Sequence, residues 1–190
     1  MACHLLENNN RSSISAEAMK EAIPSFYNRP ILGYIQKIDD GDGEFHYDFA
    51  GHEMELSDDG EVEYKEMVVG VIPESCNPQV VYHEEYEKDY LEVDGYVYED
   101  YTRAAEILRD KGECSVSVEL AVDELSYQAD TKILNIDKFH FMGVTILGVT
   151  TDESHQEVKP GMAHANITIA DFSAESNSLV ADKQTLADEG

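Results

Sequence analysis

At 190 residues, with 42% hydrophobic side chains and a formal net charge of −27 from 40 acidic against 13 basic residues, the chain suits one ordinary domain with a core and is short for two. Such acidity repels nucleic-acid phosphate and anionic lipid, so direct nucleic-acid or membrane binding is not expected, whereas basic proteins are attracted. Cys3, Cys76 and Cys114 are too few and scattered for a disulfide framework or zinc spacing, and fit a reducing compartment; neither a leader pattern nor a membrane-length apolar run is visible.

Met1–Ser15 is polar, includes Asn8-Asn9-Asn10 and has no periodicity, which predicts a flexible arm. Ser15 is placed to cap a short helix over Ala16–Ile23 that Pro24 ends. Residues 1–28 therefore read as a mobile segment preceding the domain, which is expected over 29–150.

Arg29–Ile35 reads as the first core strand, with Pro30 at its start where a missing N–H is tolerated. The acidic turn Asp39–Glu44 predicts that this strand pairs with Phe45–Phe49 in a long hairpin. A calcium loop is not expected there, because Phe45 stands where such a loop needs glycine. From Asp39 to Glu66 twelve residues are acidic and only Lys65 is basic, the composition of exposed loop and edge.

Met67–Ile72 reads as a buried strand closed by Pro73, and strands are expected over Val80–Tyr82 and Tyr90–Tyr98. Asp100–Asp110 has Ala104, Ile107 and Leu108 at helical spacing, with Lys111-Gly112 as a stop. The stretch Gly112–Leu125 then turns into a strand. Ile133–Val149, the most apolar segment, predicts a central strand, and residues 151–190 read as an acidic flexible tail. The fold class expected is α+β and β-rich, with few helices.

Alternation places Ser115, Ser117 and Glu119 on one face of the Gly112–Leu125 strand and Val116, Val118 and Leu120 on the other. A serine nucleophile needs a nearby base, usually histidine, oriented by a third group. Within the domain the histidines are His46, His52, His83 and His140. Gly51 lets the backbone at His52 approach a site closely; His46 and His83 read as solvated, and His140 as a satisfied, partly buried residue. Asp137 and Glu119 could each orient a histidine, but acids are so abundant that spacing alone assigns no triad.

Arg29-Pro30-Ile31-Leu32-Gly33, Gly51-His52-Glu53-Met54-Glu55, Gly70-Val71-Ile72-Pro73-Glu74, Asp110-Lys111-Gly112, Val116-Ser117-Val118-Glu119-Leu120 and Phe141-Met142-Gly143-Val144-Thr145 follow one another in an order that resembles the capsid maturation (prohead) proteases of tailed bacteriophages, serine peptidases related to herpesvirus assemblin. The resemblance spans Arg29–Gly148 and implies a herpesvirus-protease-like, partly closed barrel or sheet. It implies Ser117 as nucleophile, with Ser115 the alternative if the motif is shifted by two, and His52 as the base. The third member is an acid in phage relatives and a histidine in the herpesvirus branch. Gly143 stands where the acid belongs, so Asp137 or His140 would serve, or the site is a dyad; Glu119 replaces a small residue beside the nucleophile.

The resemblance also implies a serine endopeptidase without metal or cofactor, cutting scaffold and capsid proteins during head assembly. Its partners would be the phage scaffold and major capsid protein, with homo-oligomerisation or co-assembly inside the prohead, in the bacterial host cytoplasm. A catalytically inactive capsid-assembly or scaffold-like protein of the same fold is the alternative, and an acidic module binding a basic partner is a third.

Overall fold

A computed structural model describes residues 1–170. In chain order these form β1 (Cys3–His4), β2 (Leu6–Glu7), β3 (Ser12–Ile14), helix α1 (Ala16–Ala22) with a 3-10 turn (Ile23–Phe26), β4 (Arg29–Gly33), β5 (Ile35–Gly41), β6 (Glu44–Phe49), β7 (Met54–Leu56) and β8 (Val62–Tyr64). Then follow β9 (Met67–Ile72), β10 (Gln79–His83), β11 (Lys88–Glu92), β12 (Tyr96–Val97), helix α2 (Ala104–Lys111), β13 (Glu113–Gln128), β14 (Ile133–Ile146) and β15 (Asn166–Thr168). The architecture is β-rich α+β, as expected.

The main sheet runs β12-β9-β4-β14-β13-β15, with β3 also on β14. It ends at β12 and β15 and does not close into a barrel. Its centre is the antiparallel ribbon of β13 and β14, whose alternation sends Cys114, Val116, Val144 and Ile146 into the core. β4 lies parallel to β14, with Val144 opposite Ile31 and Thr145 opposite Leu32. Helix α1 and its 3-10 turn cover one end of β14, where the Phe26 and Phe141 rings stack at 4.0 Å.

Local chemistry explains both helices. The Ser15 side chain accepts from the Ala18 N–H at 3.1 Å, satisfying a donor the first turn leaves free. Helix α2 buries Ala104, Ile107 and Leu108 and ends at Gly112, whose φ of 75° lets its N–H bond back to Leu108.

Four expectations about the chain differ from what forms. Residues 1–28 are built into the fold instead of forming a flexible arm. Cys3–His4 pairs with β11, Ser12–Ile14 runs parallel to β14, and Cys3, His4 and Ile14 are fully buried. Short apolar steps in a polar segment suffice because two sheet edges are there to receive them.

Arg29–Ile35 is not one hairpin strand: it breaks at Tyr34, so β4 enters the main sheet while β5 alone pairs with β6. Packing is tight beside the break, where a Cβ on Gly33 would come within 2.9 Å of the Phe49 ring. Tyr90–Tyr98 likewise splits between β11 and β12, in separate sheets. Of the expected tail, the stretch to Ala170 carries buried Met162 and Ala165 and the strand β15; residues 171–190 lie outside the described residues.

Candidate functional site

His52 leaves a segment that is strapped down on both sides. The Phe49 carbonyl accepts from Val149 N–H at 2.9 Å, Gly148 N–H donates to Ala50 at 3.0 Å, and Ala50 N–H donates to Tyr34 at 2.7 Å. The contact is so close that a Cβ on Gly148 would fall 2.0 Å from the Phe49 carbonyl oxygen. Only past this anchor does the chain emerge, and the His52 side chain is 42% exposed.

A second strap brings up a carboxylate. Lys65 N–H donates to the Glu53 carbonyl at 3.0 Å, closing the base of the β7–β8 hairpin so that the residues on either side of it, His52 and Glu66, face each other. His52 Nδ1 lies 3.2 Å from Glu66 Oε1, where the ring N–H donates to the carboxylate. The Glu66 side chain is only 7% exposed, and its Oε2 is buried with no hydrogen-bond partner among the described residues. Such an oxygen lacks compensation for its lost hydration.

The other ring nitrogen of His52 points to β13. Nε2 stands 3.5 Å from Glu119 Oε1, and that oxygen also accepts the Thr145 hydroxyl at 2.8 Å. Ser117 sits directly opposite Thr145, on the same face as Glu119 and one pleat period away, about 6.6 Å at the usual strand rise. Ser115 is a further period out, about 13 Å from Glu119. Ser117 is therefore the serine that the strand presents nearest to His52. Leu32, opposite Thr145, and Val68, opposite Leu32, continue this face as an apolar shelf.

Glu119 faces Gly143 across the ribbon, and a Cβ at Gly143 would meet the Pro30 carbonyl oxygen at 3.0 Å. The strand position that could have carried an acid is thus kept small by β4. Glu66 supplies a carboxylate to His52 from the opposite side.

Asp137 is not part of this group. It is exposed and lies eight residues before Thr145 on β14, about 26 Å away at the rise of an extended strand. His140 is also remote, pairing with Asp123 at 3.3 Å. His46 contacts Asp40 at 2.8 Å on the exposed β5–β6 hairpin, and His83 contacts Glu92 at 2.9 Å. Among the described residues no three His, Cys, Asp or Glu side chains gather as a metal site.

Two members of the group were missed by sequence reasoning. Glu66 is hidden by composition, one acid among many. Thr145 sits in an apolar run that reads as core, and it is 1% exposed; only its register opposite Ser117 gives it a role.

The family described as the YonD N-terminal domain matches residues 1–189, a description that names neither a protease nor a capsid protein. No curated protein and no solved structure matches the chain.

Proposed function

The chain belongs to the YonD N-terminal domain family, and we propose that this member is a serine endopeptidase, a prohead maturation protease that cuts scaffold and capsid proteins during phage head assembly. The observation that carries the reading is the meeting of His52, backed by Glu66, with the β13 face that bears Ser117. A phage setting is supported by the family name. In this reading the main sheet is the core of a fold related to herpesvirus assemblin, the partners are scaffold and major capsid protein, and the protein works as an oligomer or co-assembly inside the prohead in the host cytoplasm.

The chemistry follows from the two ring nitrogens. With Nδ1–H donated to Glu66, His52 presents the Nε2 lone pair as proton acceptor. Ser117 Oγ attacks the peptide carbonyl carbon as its proton passes to Nε2, and the same proton then goes to the leaving amine. Water repeats the sequence in the second half, releasing the acyl group and restoring Ser117. Glu66 stabilises the transient imidazolium and takes the orienting role in place of Asp137. Glu119 must turn aside, since Nε2 now faces its carboxylate at 3.5 Å; substrate entry or assembly would supply that displacement.

The occupied position of Glu119 also favours a second reading, an inactive capsid-assembly protein of the same fold. A fluorophosphonate probe separates the two. Labelling that maps to the Ser117 peptide and is lost in Ser117→Ala supports the peptidase. A folded, assembled protein that takes no label, and leaves scaffold and capsid protein uncut, supports the inactive form.

A further inference from the structure

Among the described residues the β7–β8 hairpin is a two-stranded sheet of its own, so both of its outer edges carry backbone donors and acceptors that pair with no other described strand. All six strand residues are exposed. Met54 pairs with Tyr64 and Leu56 with Val62, which makes one face wholly apolar, with Leu56 75% and Tyr64 72% exposed. Glu55 pairs with Glu63 on the other face. Two carboxylates directly opposite each other weaken a strand pair. Lys65 offsets this on one side by pairing with Glu55 at 2.6 Å, while Glu63 has no ion pair among the described residues.

The root of the hairpin lies at the candidate site. His52 and Glu53 precede β7, Lys65 and Glu66 follow β8, and the partly buried Glu66–His52 contact sits at the base. A strand that added to the hairpin would be held on the element whose base carries His52, the ring that contacts Glu119 on the Ser117 face of β13.

We propose that this hairpin captures the substrate by strand addition, and that the segment it takes alternates apolar with Lys or Arg side chains. The inference rests on the peptidase reading for its word substrate. The chemistry follows from the pleat: successive residues of an added strand point to opposite faces, so one set meets Met54, Leu56, Val62 and Tyr64 and the other meets Glu55 and Glu63. Main-chain hydrogen bonds hold the segment in register, and the incoming cations relieve the paired carboxylates. A segment alternating apolar with acidic residues is rejected by the same arrangement.

The test uses the full chain carrying Ser117→Ala and two fluorescein-labelled peptides, one alternating Val and Lys, the other Val and Glu. The Val–Lys peptide is expected to bind, to weaken as salt rises, and to slow amide exchange within 54–64; the Val–Glu peptide is expected neither to bind nor to slow exchange there. Because the whole chain is anionic, the site of protection decides, and protection confined to other strands overturns the proposal. Glu55→Lys with Glu63→Lys, and separately Leu56→Ser with Val62→Ser, should each weaken binding at least tenfold; unchanged affinity in both overturns it. If a variant fails to fold, exchange on the unaltered hairpin gives the answer alone.

Self-association that is lost in Leu56→Ser with Val62→Ser, without peptide protection of the hairpin, assigns the edge to a second copy and overturns the proposal. Fluorophosphonate labelling of the unsubstituted chain is read in parallel. Hairpin protection without Ser117 labelling sinks the peptidase and leaves strand capture standing, whereas labelling without protection sinks strand capture alone.

Discussion

His4 and His52 are the same residue in opposite settings. His4 is fully buried, its ring edge-on to Tyr90 at 5.5 Å. Its Nδ1 donates to the Leu5 carbonyl at 2.8 Å, and Nε2 accepts from the Lys88 ammonium at 3.4 Å. Both nitrogens are committed, and the donor beside Nε2 selects the neutral form. Burial holds its pKa below the ordinary histidine value, with the Leu5 hydrogen bond opposing and Lys88 reinforcing the shift. His52 is half-open and has carboxylates, not donors, at both ends. The difference teaches that access and the chemistry of the neighbours separate a histidine open to a ligand from one that holds a strand in place.

The sharpest test of that contrast is His52→Ala. It should lower Ser117 labelling and cleavage by roughly 10⁶-fold, while the urea midpoint stays nearly unchanged. A large loss of stability with activity retained would reverse the roles of the two residues. Next, Glu66→Gln should cost roughly 10⁴-fold in cleavage by letting the imidazole rotate or take the wrong tautomer, with its effect read in kcat more than in KM. An unaltered rate would remove Glu66 from the machinery.

His4→Ala tests the other side. It should destabilise the fold by about 2–4 kcal/mol in urea denaturation, since it opens a cavity and strands the Lys88 ammonium, and the remaining folded protein should be labelled at the normal rate. The smallest effect is one of pH. A histidine whose pKa is lowered on folding binds fewer protons folded than unfolded, so its contribution is present above the ordinary value of 6.5 and is lost as pH falls below it. The urea midpoint should therefore drop between pH 7.5 and 5.5, and His4→Asn should flatten that drop; equal slopes would mean that His4 is not the group responsible.

Several local features were legible before any fold was known. Ser15 as a cap, Gly112 as a stop and the core-facing side of Val116, Val118 and Leu120 depend on neighbours within a few residues, and each forms as read, with Val116 buried and the other two partly buried against the core. Ser117 and His52 could be nominated, and the strand spacing now ranks Ser117 over Ser115. The orienting acid could not be chosen, because local pattern does not single out one of forty acidic side chains. Asp137 looked suitable by its place before the apolar strand, yet an extended strand carries it far from Thr145.

By itself, then, the sequence determined the two helices and the apolar central strands, which face of β13 is apolar, and which serine and histidine deserve attention, since these follow from periodicity and residue chemistry. Tertiary structure alone decided that residues 1–28 belong to the fold, that Tyr34 divides two strands, and that Glu66 and Glu119 bracket His52. Each of those outcomes depends on backbone segments distant in sequence meeting at one place: β1 on β11, Gly33 against Phe49, and Gly148 pressed on the Phe49 carbonyl. Chain-local patterns carry no record of such meetings.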